Sequence, residues 1–184
     1  VPAKAGLKYD KAFAKHDKAR RIDYFEKVLN GEAKIKATGL MPYEIVHRIF
    51  GQCISVSCNE DLLTELSWQK LVEEGFENEW GLEDCIVVAD TSGSMMSLAT
   101  GSRITAMEVC YSLAVYFAQI LKGPFKDKVI TFSARPKFIE LTKGNNLKEK
   151  LEIMKAYSEI ANTNSEAVFN LILEEAVKNH CKQE

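Results

Sequence analysis

An apolar run that stops at an acidic residue constrains the fold of this chain more than any other feature. Residues 86–89 read Ile-Val-Val-Ala and lead into Asp90 and a loop rich in hydroxyl side chains. A short apolar run of this kind is typical of a strand buried on both faces, as in a parallel sheet. The long apolar segment 103–121 then predicts a helix. We therefore expect the loop at the carboxyl end of a strand, where open α/β sheets bind their ligands.

The loop offers three oxygen-bearing side chains at alternate positions, namely Asp90, Ser92 and Ser94. At this spacing the three side chains can converge on one point. One carboxylate and two hydroxyls form a hard-oxygen set of low charge, which suits Mg²⁺ because that ion keeps several of its waters. The sequence therefore predicts a metal site in this loop.

The sequence Asp-Thr-Ser-Gly-Ser at residues 90–94 resembles the Asp-x-Ser-x-Ser signature of von Willebrand factor A (vWA) domains. These domains bind a divalent metal at a metal-ion-dependent adhesion site (MIDAS). The resemblance covers residues 82–184 and implies an α/β fold with a Rossmann-like, doubly wound and mostly parallel sheet. We expect this sheet to be incomplete at its carboxyl end, because the later strands of an A domain are absent. The elements predicted after the loop fit the first half of such a domain: strands at 127–133 and 137–141, and helices at 146–157 and 165–180.

The resemblance also implies two further metal-binding loops. Thr163, just before a predicted helix, occupies the position from which the second loop supplies a threonine. Thr163 and Glu166 also form a capping-box pattern, so an N-cap role for Thr163 is the alternative. The aspartate of the third loop has no counterpart in this sequence. The expected ligands are therefore Asp90, Ser92, Ser94 and Thr163, holding Mg²⁺ or, in its place, Mn²⁺ or Ca²⁺.

The amino-terminal part of the chain is predicted to be helical. We expect a helical region over residues 1–78 and the vWA-like domain over residues 79–184. Three helices are predicted in the first region, each bounded by a cap or a turn-forming residue: residues 8–30, ending before Gly31; Pro42–Phe50; and residues 60–74, between an Asn59 N-cap and Gly75. The segment 52–57 is ambiguous between strand and helix.

Charge is spread unevenly along the chain. Residues 1–50 carry 11 Lys or Arg against 6 Asp or Glu, a net +5, and the remainder carries 13 against 20, a net −7. A net +5 is modest for a nucleic-acid binder, and a solvated helix surface explains it as well.

The order of the two regions nevertheless resembles that of the Ro-type (TROVE) ribonucleoproteins, in which a helical region precedes an intracellular A domain. It also resembles an uncharacterised family with segments like Gly39-Leu-Met-Pro-Tyr43 and Thr163-Asn-Ser-Glu-Ala-Val-Phe-Asn170. RNA binding through the basic amino-terminal helices is therefore the alternative function.

Other features argue against several classes of protein. No apolar run approaches the ~20 residues that span a bilayer, and the five cysteines are scattered without metal-type spacing. We expect a cytoplasmic protein that does not interact with membranes and is not an enzyme. The nearest enzymatic alternative is a haloacid-dehalogenase-like phosphatase, whose second motif Ser133 mimics. Its Asp-x-Asp motif, however, would need an aspartate where Ser92 stands.

The predicted function is a non-enzymatic, metal-dependent protein-binding module. A carboxylate from an Asp or Glu of the partner protein would fill the open coordination position of the metal. Such binding needs neither a general base nor a nucleophile in the loop.

Overall fold

The computed structural model describes residues 2–51, 58–77, 85–99, 101–157 and 164–180. The chain divides into two compact units, residues 1–75 and 76–184. The predicted domain boundary after residue 78 stays a prediction, and the ambiguous segment 52–57 lies outside the described ranges. Among the described helices, none is long and apolar enough to cross a membrane.

The first unit is helical, as expected. Its elements are α1 (Ala3–Lys8), α2 (Asp10–His16), α3 (Lys18–Leu29), α4 (Pro42–Gly51) and α5 (Cys58–Glu77). The most deeply buried side chains of this unit include Ile45, Val46 and Trp68. They come from α4 and α5, so these two helices supply the centre of its core.

The prediction of one helix over residues 8–30 is wrong. The chain leaves helical geometry at Tyr9 and at Asp17, which separates α1, α2 and α3. The break at Asp17 has a reason in packing, because Asp10 of α2 and Arg21 of α3 form an ion pair. On one straight helix these two residues would lie about 16 Å apart along the axis. The sequence spacing alone did not reveal this contact.

The other predicted boundaries of this unit are partly confirmed. α4 begins at Pro42, as predicted, and Gly31 follows α3 with a φ of 78°, the left-handed geometry in which glycine ends helices. The predicted limits of the next helix are wrong, since α5 runs from Cys58 to Glu77. Asn59 is therefore not its N-cap, and Gly75 does not end it. Gly75 lies buried within the helix, where a glycine lowers helix stability without terminating it.

The strands and helices of the second unit follow one another in the predicted order. Its elements are β1 (Val87–Asp90), α6 (Ala106–Ile120), β2 (Lys128–Phe132), β3 (Phe138–Glu140), α7 (Leu147–Tyr157) and α8 (Ser165–Lys178). β1 and β2 are parallel, with Asp90 opposite Phe132, and β3 pairs antiparallel with β2. The unit is therefore a mixed helix-and-strand structure around a three-stranded sheet. A larger, doubly wound sheet stays a prediction.

β1 lies at one edge of the described sheet, which has the strand order β1-β2-β3. Ala89 is buried, whereas Val88 is 40% exposed, and successive side chains of a strand point to opposite faces. The expectation that this strand is buried on both faces is therefore wrong. An edge strand has fewer neighbours to cover it, and α6, which packs against β1, accounts for one covered face.

α6 is largely buried, as its apolar surface predicts. Its buried apolar residues are Met107, Tyr111, Ala114, Val115, Tyr116, Ala118 and Ile120. The helix begins at Ala106 rather than at residue 103, because Thr105 and Glu108 form a capping box. The Glu108 amide donates to Thr105 Oγ1 (3.1 Å), and the Thr105 amide donates to Glu108 Oε2 (2.6 Å). Leu98 pairs with Thr105 in an isolated β-bridge, which closes the loop before the helix.

Candidate metal centre

The loop after β1 is shaped by the side chain of Asp90. The Ser92 amide donates a hydrogen bond to Asp90 Oδ1 at 2.8 Å, which is an Asx-turn contact. Residues Gly93–Met96 then form a 3-10 turn. The carboxylate that would bind the metal therefore also orders the backbone that presents the two serines.

The two serine hydroxyls lie next to each other. Ser92 Oγ and Ser94 Oγ are 2.9 Å apart and share a hydrogen bond. Ser97 Oγ donates to the carbonyl oxygen of Ser94 at 2.8 Å, which supports the turn from its far side. The structure thus brings the hydroxyls of Ser92 and Ser94 together beside the Asp90 loop.

The charge of Asp90 is not balanced by any residue that the structure describes. Among the described residues, no cationic side chain forms an ion pair with Asp90, and its Oδ2 accepts no hydrogen bond. A carboxylate in this state can accept a cation without first losing an internal partner. The structure describes no cluster of three or more His, Cys, Asp or Glu side chains suited to a metal. Any metal in the Asp90 loop would therefore depend on hydroxyl and water ligands, and such a set fits Mg²⁺.

The strand end below the loop is partly buried. The Cys110 thiol of α6 donates to the carbonyl oxygen of Asp90 at 3.3 Å. Burial raises the pKa of this thiol to about 11, and the nearby charge of Asp90 adds to the effect. Cys110 therefore remains a neutral thiol at ordinary pH.

Thr163 lies outside the described residues, so its position relative to Asp90 stays a prediction. Its neighbour Asn164 is described, and the Asn164 amide donates to the carbonyl oxygen of Ser133 at 3.2 Å. The chain entering α8 therefore touches the residue that follows β2. Since β1 and β2 are parallel neighbours, their carboxyl ends lie side by side. This contact is therefore at the same end of the sheet as Asp90.

The alternative role for Thr163, that of an N-cap, is wrong. Asn164 is the N-cap of α8, and its Oδ1 accepts a hydrogen bond from the Ala167 amide at 3.1 Å. Asparagine is among the strongest N-cap residues.

α8 is anchored to β2 by an ion pair. Lys128 Nζ lies 2.8 Å from Glu175 Oε1. The hydrogen bond from Lys128 is the main cause that lowers the pKa of Glu175 below its ordinary value. This contact fixes the helix that the Thr163 loop enters.

Two further hydroxyls at this end of the sheet are not among the site residues that the sequence predicts. Thr91 Oγ1 and Ser133 Oγ are buried, and neither forms a hydrogen bond within the described residues. A buried hydroxyl without a partner costs stability, so each one calls for an explanation such as water or an ion. Thr91 lies between Asp90 and Ser92 in the chain. The sequence analysis names Ser133 only as part of a phosphatase motif. Its position just after a strand is the signal that would identify it as a candidate site residue.

Comparison with known sequences assigns the part of the chain that contains this loop. Residues 84–184 match a family described as "Domain of unknown function (DUF7788)". The chain belongs to the DUF7788 family. In this DUF7788 protein, the helical region also matches a family model, described as "Domain of unknown function (DUF2828)", over residues 1–78.

One curated relative of the DUF7788 protein is "Uncharacterized protein L728" of Acanthamoeba polyphaga mimivirus. The two are 31% identical over 154 residues, which is 84% of this chain and 24% of the relative. The chain thus spans about a quarter of the length of that protein. No solved structure matches the chain. The predicted resemblance to an uncharacterised family is therefore confirmed. The vWA assignment stays a prediction.

Proposed function

We propose that this chain carries a metal-dependent protein-binding module of the vWA type, in which Asp90, Ser92, Ser94 and Thr163 hold Mg²⁺. The observation that carries the proposal is the Asp90 loop. An ordered carboxylate with no cationic partner among the described residues lies there beside two hydroxyls that are 2.9 Å apart.

Each residue of the loop has a distinct part in this proposal. Asp90 supplies the negative charge and, through its bond with the Ser92 amide, holds the turn in place. Ser92 and Ser94 add neutral oxygens, so the site stays low in charge. When bound, the metal supplies an electrophilic centre that attracts an anionic oxygen. The proposed occupant of its open coordination position is an Asp or Glu carboxylate of a partner protein.

The proposed role of Thr163 rests on the segment beside it. Asn164 binds the end of β2 through its backbone and caps α8 through its side chain. Both functions of Asn164 leave Thr163 unneeded as a cap. This is support for the threonine as a ligand, and Thr163→Val, which keeps the shape and removes the hydroxyl, is the corresponding test variant.

Two other functions are less well supported. A phosphatase of the haloacid-dehalogenase type needs a general acid at the second position after its nucleophile, and Ser92 cannot serve as one. RNA binding would use the basic helices, where Lys11, Lys15, Lys18 and Arg20 are exposed. Arg21, the fifth cation of that set, is instead paired with the buried Asp10. We therefore favour the protein-binding module.

Calorimetric titration of the 184-residue chain with Mg²⁺ and with Mn²⁺ tests the proposal. We expect saturable binding by the unaltered chain and none by Asp90→Ala, because that variant lacks the only charged ligand of the proposed set. Ser92→Ala and Ser94→Ala should each weaken binding about tenfold, because each removes one neutral oxygen ligand, and loss of even a supporting group commonly weakens a metal site by this much.

Glu152→Ala is the matched control, because it removes an exposed carboxylate of α7 and should leave the titration unchanged. An unaltered chain that binds neither ion would refute the metal site. Binding that survives in Asp90→Ala would show that the ion binds at another place in the chain.

A further inference from the structure

A cavity in the first unit is independent of the Asp90 loop. Its volume is about 270 Å³, and all of its lining residues lie between Pro2 and Ser67. Pockets for drug-sized ligands begin at roughly 300 Å³. The size therefore suits a compact ligand of up to three rings, or a short chain.

The floor of the cavity is apolar. It is formed by Phe13, Phe25, Ile35 and Leu63, of which the last three are buried. Gly6 of α1 also lines the cavity, and a Cβ added to Gly6 would meet no atom within 4 Å. Apolar side chains that face empty space lack contact partners. An apolar ligand body would supply those contacts.

Three of the four charged residues of the lining are cationic. Arg20, Arg21 and Lys36 contribute three positive charges, and Arg20 and Lys36 are exposed. Asp17 contributes one negative charge and lies 3.6 Å from Arg20, in a surface pair of the kind that contributes little. The lining thus carries a net positive charge beside an apolar floor.

Arg21 is held in position before any ligand arrives. It forms an ion pair with Asp10, which is 2% exposed, and its guanidinium lies 4.9 Å from the centre of the Phe25 ring. Asp10 is in turn bound by Arg48, at 2.7 Å. A guanidinium that is already ordered loses little freedom when it binds an anion.

We propose that this cavity binds a small amphipathic anion, with its apolar body on the floor and its acidic group against Arg21 and Lys36. The ligand class is an organic carboxylate, sulfonate or phosphate with a compact apolar part. The proposal does not depend on the metal centre.

Two dyes that differ in charge test the proposal on the 184-residue chain. The anionic probe is 8-anilinonaphthalene-1-sulfonate, and the uncharged probe is N-phenyl-1-naphthylamine. Fluorescence titration and calorimetry should give saturable one-to-one binding of the sulfonate. The uncharged dye should bind about tenfold more weakly, which corresponds to one good charged contact.

Gly6→Leu places an apolar side chain inside the cavity and improves helix propensity. It should lower the affinity for the sulfonate at least about tenfold, by direct exclusion, without lowering the thermal midpoint. Ala12→Leu is the matched control, because Ala12 is an exposed residue of α2 that does not line the cavity.

Lys36→Glu reverses an exposed charge of the lining and leaves the floor intact. It should weaken the sulfonate about tenfold and the uncharged dye less than about twofold, because only the sulfonate carries charge. Lys11→Glu, an exposed position outside the cavity, should change neither affinity. Equal affinities for the two dyes, or equal effects of Gly6→Leu and Ala12→Leu, would overturn the proposal.

Discussion

Asp10 and Asp90 are carboxylates in the two units of the chain, and their surroundings are opposite. Asp10 is 2% exposed and is bound by Arg21 and Arg48. Asp90 is partly exposed and, within the described residues, is bound through its side chain only by the Ser92 amide. One carboxylate therefore has its charge balanced inside the protein, and the other has not.

The difference separates a structural acid from a binding acid. A buried carboxylate without cations would be too costly to keep ionised, so Asp10 depends on its two arginines. Asp90 keeps contact with water, which solvates its charge, and a cation can replace part of that water. The same residue type thus serves the fold in one unit and is available for a ligand in the other.

The largest effect is expected from Asp10→Ala, which leaves Arg21 and Arg48 without their shared carboxylate. Removal of one partner from a buried ion pair costs about 3–5 kcal/mol. Urea unfolding followed by tryptophan fluorescence would measure the loss, since Trp68 is buried in the same unit.

Asp23→Ala is the control for that change. It removes an exposed carboxylate that pairs with Lys27 at 2.7 Å, and such helical pairs contribute about 0.2–0.5 kcal/mol. Similar urea midpoints for Asp10→Ala and Asp23→Ala would mean that Asp10 stabilises the fold no more than an exposed carboxylate does.

The next largest effect concerns Asp90. Mg²⁺ at one hundred times its dissociation constant should stabilise the folded chain by about 2.7 kcal/mol, and Asp90→Asn should abolish that gain. With a chelator present, Asp90→Asn should cost less than about 1 kcal/mol, because an asparagine oxygen can still accept the Ser92 amide. Thermal unfolding with and without Mg²⁺ measures both values. A large loss of stability with chelator would make Asp90 a structural acid like Asp10.

A smaller effect is expected from Thr105→Ala, which removes the N-cap of α6. Loss of a capping side chain costs about 1 kcal/mol, and the Mg²⁺ affinity should stay unchanged because the Asp90 loop has its own hydrogen bonds. Thr142→Ala, at an exposed position, should change stability by less than about 0.5 kcal/mol. A parallel loss of Mg²⁺ affinity in Thr105→Ala would show that the helix start positions the loop.

The effect expected to be smallest at neutral pH is a pH dependence, confined to alkaline solution, that reports on the partly buried strand end below Asp90. The raised pKa of Cys110, about 11 against 9.0 for the free thiol, means that the folded state holds this proton more tightly than the unfolded state. The contribution of Cys110 to stability should therefore be constant below pH 9 and decline between pH 9 and pH 11. The difference in unfolding free energy between the unaltered chain and Cys110→Ala should shrink over that interval. A constant difference would mean that the thiol is solvated.

Sequence patterns predicted the second unit more closely than the first. β2, α7 and α8 lie within two residues of their predicted limits, because each is a compact apolar pattern bounded by polar or turn-forming residues. The break at Asp17 was missed because neither glycine nor proline marks it. The sequence offers Thr163 as the N-cap of α8 only as the alternative to its metal role, and it does not single out Asn164, since both residue types fit such a position.

The ligand set of the loop could be proposed from the sequence because Asp90, Ser92 and Ser94 are close along the chain. Backbone geometry alone then keeps their side chains near one another. The sequence could not reveal that Asp90 has no cationic partner among the described residues, since any lysine or arginine of the chain could have folded against it.

The sequence by itself determined the order of strands and helices in the second unit and the oxygen-rich end of β1, because both follow from contacts between residues near in the chain. Only the tertiary structure decided that Asp10 meets Arg21 and Arg48, that one face of β1 stays exposed, and that a cavity with a cationic lining exists. Those features depend on where the chain bends and which surfaces then meet, and no local pattern records either.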